Sequence, residues 1–137
     1  MEAKLTHELD RFFVNMRPEP IEFFLSLAHF ALFVWFIIVS LHPISAGFTT
    51  LIQICPLFVW GGVSFLIGTI QLLSAIQKWH AIRRMTAFSS FCFWVLIGIS
   101  VFFGTSSVLP PYFFLFAFSA GWIYVKLNIV SSEDYDQ

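Results

Sequence analysis

The sequence predicts an all-α membrane protein: four transmembrane helices in an up-down-up-down bundle, a short amphipathic N-terminal helix, and both termini cytoplasmic. Three observations predict it. Hydrophobic residues make up 58% of the 137 positions and charged residues 11%, with 19 Phe and 5 Trp, too few charges to cover a soluble surface. Four apolar stretches, 21–41, 49–76, 86–103 and 109–130, are each near or above the roughly 18 residues a helix needs to cross about 30 Å of hydrocarbon. Glu22 and Lys126, near their ends, are the stretches' only Asp, Glu, Lys or Arg residues. Finally, four crossings place Lys4, Arg11, Arg17, Lys78, Arg83, Arg84 and Lys126, all seven basic residues, on one side. The positive-inside rule makes that side cytoplasmic.

Residues 1–20 are expected to form the cytoplasmic or interfacial helix. In "MEAKLTHELDRFFVNM" the apolar residues Leu5, Leu9, Phe12, Phe13 and Met16 recur at helical spacing. The segment lacks the uninterrupted apolar core and small-residue cleavage site of a signal peptide. "RPEP", 17–20, ends it and turns the chain into the first crossing. "HPISAGF", 42–48, joins the first pair of crossings, "QKWHAIRRM", 77–85, the second and "GTSSVLPP", 104–111, the third. Such short links make sequential helices antiparallel neighbours. Pro56 is expected to bend the second helix, or to mark a start just before it. Residues 131–137 read as a short acidic cytoplasmic tail.

"QKWHAIRRM" carries three of the seven basic residues. Lys78, Arg83 and Arg84 are expected to anchor topology or to meet lipid head groups, with Trp79 as an interfacial aromatic anchor. All eight acidic residues fall on the same side, which leaves the opposite face almost without charge.

Polar side chains inside hydrocarbon are costly, so their placement is informative. Glu22, Ser26 and His29 share a face of the first helix. Gln53, Ser64, Gly68, Gln71 and Lys78 form a stripe on the second, Thr86, Ser90, Ser100 and Gly104 on the third, and Ala117, Gly121, Tyr124 and Asn128 on the fourth. These seams are expected to turn inward or toward another copy. Small residues four apart, Ser64 with Gly68, Ser100 with Gly104 and Ala117 with Gly121, suit close helix packing.

His29 lies about 12 Å along its helix, near mid-membrane. Its expected structural partners are Gln71, Ser90 or Tyr124. The functional alternative makes it, with Glu22, a pH-sensitive gate or ion-path residue. Glu22, Ser26, His29, Gln71, Ser90 and Tyr124 are therefore the polar-seam or gate candidates.

The four His and two Cys form no metal-spaced set, and Cys55 and Cys92 fall at different depths, too far apart for a disulfide. There is no phosphate-binding glycine loop, nucleophile elbow or intramembrane carboxylate pair. The expectation is a non-enzymatic chain with no metal, cofactor or nucleic-acid partner.

"WGGVSFLIG", 60–68, followed by "TAFSSFCFW", 86–94, is similar to a helix pair of the acetate and succinate permease family of six-helix membrane proteins. The likeness spans one helix pair; the family's Asn-Pro entry motif and two further helices have no counterpart. Neither transport nor any site residue is carried over from it.

Three classes of function follow. The first is a self-associating or accessory subunit of a membrane complex, with the bilayer, further copies or a larger assembly as partners. The second is an oligomeric pore or channel, holin-like or toxin-like, lined by the polar seams. The third is a small transporter, the weakest reading because no charged residue lies at the midplane where substrate sites usually form. Dry packing of His29, Gln71 and Ser64 favours the first; water around them favours the second.

Overall fold

The computed structural model describes residues 19–41, 48–104 and 110–133. Five α-helices account for nearly all of them: α1 Glu19–Ser40, α2 Thr49–Ile54, α3 Leu57–Gln77, α4 His80–Gly104 and α5 Pro110–Glu133. Among the described residues, four segments are long and apolar enough to cross a membrane: α1, α3, α4 and Tyr112–Ile129 of α5. The amphipathic helix expected over 1–20 lies outside the described residues except for Glu19 and Pro20, which already belong to α1. Residues 134–137 of the expected tail also lie outside them.

The second apolar stretch is two helices rather than one. Cys55 is extended, at φ −153° and ψ 153°, as the residue before a proline tends to be. Pro56 then starts α3 without needing an N–H. The Leu51 carbonyl at the end of α2 accepts the Cys55 N–H at 3.0 Å and the Trp60 indole N–H at 3.1 Å, so the break leaves that carbonyl satisfied.

The connection between α3 and α4 is also tighter than the nine-residue basic loop suggested. Lys78 closes α3 in the left-handed conformation, at φ 56° and ψ 35°. The N–H groups of Lys78 and Trp79 both donate to the Ser74 carbonyl, a helix-ending arrangement normally given to glycine. Helix α4 begins at His80, six residues before the expected start. Arg83 and Arg84 are thereby helical.

Helix directions can be read from paired residues. His29 meets Ser64 while Phe33 and Phe36 meet Gly61, so α1 and α3 are antiparallel. Glu22 meets Arg83 and His29 meets Ser90, both 61 positions apart; α1 and α4 therefore run parallel and in register. Trp94 packs on Phe113 and Phe116, and Phe88 on Tyr124, making α4 and α5 antiparallel. Two closely packed antiparallel pairs, α1 with α3 and α4 with α5, join mainly across α3 and α4.

The interior has two apolar zones. Leu32, Phe36, Phe93, Trp94, Ile97 and Val101 dominate the larger one, closed at its end by Phe48, Leu51 and Leu57 around α2. Leu25, Ala87, Ala120, Ile123 and Leu127 form the smaller one, at the level of Glu22 and Arg83. The outer faces carry large apolar side chains, Leu27, Leu66, Phe102 and Phe118 among them, each at least 60% exposed. Such a continuous apolar exterior fits a bilayer solvent.

Candidate functional site: a buried polar column

Beside the smaller apolar zone a column of polar groups follows the inner face of α1. At its lower end the Arg83 Nε donates to both Glu22 carboxylate oxygens at 3.1 Å, and Arg83 Nη2 to Oε2 at 2.6 Å. The Glu22 and Arg83 side chains are only 2% and 3% exposed. Glu19, at 3.8 Å from the same Nη2 and half-buried, is an outlying member of the pair. The fork of the guanidinium suits a carboxylate, so each charge is neutralised and hydrogen-bonded where water is excluded.

One turn up α1, the Ser26 hydroxyl donates to the Glu22 carbonyl within its own helix. One further turn up is His29, fully buried. The Ser64 hydroxyl donates to the His29 carbonyl at 2.9 Å, which uses the only proton on that oxygen. Ser64 Oγ must then accept from Nδ1–H at 3.1 Å. In the neutral ring this assigns the proton to Nδ1 and leaves Nε2 to accept from the Ser90 hydroxyl at 2.8 Å. Trp94 and Phe93 flank the ring, with centroids at 4.9 and 5.3 Å.

Gly68 permits this arrangement. A Cβ on residue 68 would stand 2.8 Å from the His29 Cβ and 3.2 Å from the Ser26 carbonyl oxygen. Only a hydrogen there lets α3 come close enough to α1 for Ser64 to reach both the ring and the backbone of His29. Gln71, one turn past Gly68, is 1% exposed, and its amide oxygen and nitrogen have no hydrogen-bond partner among the described residues. The buried Trp94 indole nitrogen likewise has no partner among the described residues.

The column brings Glu22, Ser26, His29, Ser64, Gly68, Gln71 and Ser90 to the interior. Of the three partners anticipated for His29, Ser90 is engaged, Gln71 makes no side-chain hydrogen bond and Tyr124 is at the surface against Phe88. Ser64, anticipated in the polar stripe and as a packing residue but not as a partner of His29, is the second partner. Ser100 and Ala117 are buried; Gly104 and Gly121 are partly exposed, with Gly121 facing the Phe91 ring. On α5 the inward stripe is Ala117, Ala120, Ile123 and Leu127, rotated from the stripe that contained Gly121, Tyr124 and Asn128.

The four residues expected as lipid or topology anchors separate. Lys78 and Trp79 are exposed at the α3–α4 turn, Arg84 is half-buried, and Arg83 points inward to Glu22. Sequence reasoning missed the Glu22–Arg83 pair because it assigned Arg83 to a loop. The available signal was the helical spacing of Arg83, Thr86 and Ser90, which places Arg83 on the same seam.

No protein-family model, curated protein or solved structure matches this chain, so its polar column and membrane-length helices carry the functional reading.

Proposed function

We propose that the chain is a small, non-enzymatic integral membrane subunit that works with further copies of itself or inside a larger membrane complex, and that its polar column is internal packing. The supporting observation is His29, at 0% exposure, held between Ser64 and Ser90 within one chain. A pore lined by the seams needs His29, Ser64 and Gln71 to face water, whereas all three are buried in the monomer. We place both termini and the α3–α4 turn in the cytoplasm, because the sequence puts every Lys and Arg on that side.

Membrane potential and survival of bacteria expressing the chain test the reading, with His29→Ala/Gln71→Ala alongside. The expected result is unchanged potential with stable insertion, and migration in mild detergent as an oligomer or with a co-purifying membrane protein. Rapid depolarisation that the double variant lacks would establish a pore instead. A lone monomer with no partner would overturn the subunit assignment. Labelling of Lys78→Cys by an impermeant thiol reagent only after the cells are opened would support the orientation.

A further inference from the structure

Arg83 and Arg84 are adjacent but differ sharply in surroundings. Arg83 is neutralised by Glu22, while Arg84 reaches out along α4, where its Nη1 donates to the neutral Asn128 Oδ1 at 3.4 Å. Glu19 and Glu22, the carboxylates whose side chains are described, both pair with Arg83 and not with Arg84. Arg84, Met85 and Asn128 border an open cavity of about 360 Å³ between α4 and α5. Phe88 and Tyr124 line both it and a second cavity of about 460 Å³, which extends to Phe91, Phe118 and Trp122. The two adjoin at the packed Phe88 and Tyr124 rings along the α4–α5 groove, which is cationic at the Arg84 end and almost purely apolar at the other.

We propose that this groove binds one anionic phospholipid, its phosphate at Arg84 and Asn128 and one acyl chain along Phe88, Phe91 and Trp122. The order of chemistry along the bundle axis matches the order in a lipid: anion, then hydrocarbon. Arg84 supplies a fork of N–H donors suited to a phosphate, neither Glu19 nor Glu22 engages it, and Asn128 adds a polar neighbour. Tyr124 presents an aromatic face where head group gives way to chain. The α3–α4 turn lies at the same end, so cytoplasmic placement of that turn puts the site in the leaflet that carries anionic lipid. The proposal rests on the chain being integral to a bilayer, which resistance to alkaline carbonate extraction tests separately.

The protein, purified in dodecyl maltoside, is incubated with equimolar phosphatidylglycerol and phosphatidylcholine, and retained lipid is counted by native mass spectrometry. The wild type is expected to retain phosphatidylglycerol in excess. Arg84→Ala should lower the phosphatidylglycerol-to-phosphatidylcholine ratio about fivefold, the effect expected of one basic residue at a lipid head group. Lys78→Ala, an exposed charge at the same end, should leave the ratio unchanged. Val125→Trp, which fills the groove from its exposed rim, should reduce retention of both lipids. An unchanged ratio in Arg84→Ala, or an equal fall in Lys78→Ala, would overturn the proposal. Displacement of the bound lipid by excess glycerol 3-phosphate would do the same, because it would identify a site for soluble anions. If Val125→Trp melts below the wild type, the Arg84 and Lys78 comparison decides alone.

Discussion

Ser64 and His29 hold each other twice, through the serine hydroxyl on the histidine carbonyl at 2.9 Å and the histidine Nδ1–H on the serine oxygen at 3.1 Å. One hydroxyl thus fixes both the backbone and the ring of a residue on another helix. The ring's remaining nitrogen accepts from Ser90 on a third helix. His29 therefore ties α1, α3 and α4 together near the middle of the bundle.

Ser64→Ala should cost more stability than Ser90→Ala, because it removes two interhelical hydrogen bonds rather than one. The expected losses are about 1–2 kcal/mol and about 0.6 kcal/mol, the scale measured for hydrogen bonds between membrane helices. Reversible unfolding in mixed dodecyl sulfate and dodecyl maltoside micelles reads both. Equal losses would mean that the double contact contributes nothing beyond a single one.

Removing either partner of the buried ion pair should be far more damaging. Glu22→Ala or Arg83→Ala leaves an uncompensated charge and should cost about 3–5 kcal/mol. Glu22→Ala with Arg83→Ala removes both charges and should cost less than the two single changes added together. A double-mutant cycle measures that coupling; additive losses would contradict a direct pair.

Two glycines on α3 should respond to alanine in opposite directions. At Gly68 the new methyl would stand 2.8 Å from the His29 Cβ, an atom fixed to its backbone, so Gly68→Ala should destabilise by about 1–3 kcal/mol through overpacking. At Gly62 a Cβ meets nothing within 4 Å. Gly62→Ala should therefore stabilise by about 0.5–1 kcal/mol through reduced backbone entropy. The same unfolding assay checks the sign of each.

Lys78 adopts a left-handed conformation at φ 56° with an exposed side chain. Relief of its Cβ clash, less the entropy cost of glycine, should make Lys78→Gly stabilising by about 0.5–1 kcal/mol. If the melt of this variant falls, the side chain of Lys78 contributes more than the strain costs.

Much of the architecture was legible in the chain itself. Long apolar runs nearly free of charge specify membrane-length helices, because hydrocarbon leaves a backbone no other hydrogen-bond partners than its own. Pro56 announced a break, since it removes a donor and forces the preceding residue out of the helix. Glu22, Ser26 and His29 were legible as one face because helical geometry alone sets their spacing.

Pairing between helices was not legible, because it depends on rotation and axial register, which are set by contacts far apart in sequence. Gly68 draws α3 onto α1 and so gives His29 to Ser64, while leaving the Gln71 amide unpartnered. The rotation of α5 buries Ala120 and Ile123 and leaves Tyr124 outside against Phe88. Likewise the early start of α4 turns Arg83 inward to Glu22 and leaves Arg84 beside the outer groove. Composition and periodicity determined that the chain forms membrane-length helices and which faces are polar. Only the tertiary structure decided which polar groups meet, because close packing admits one register and rotation for each pair of helices.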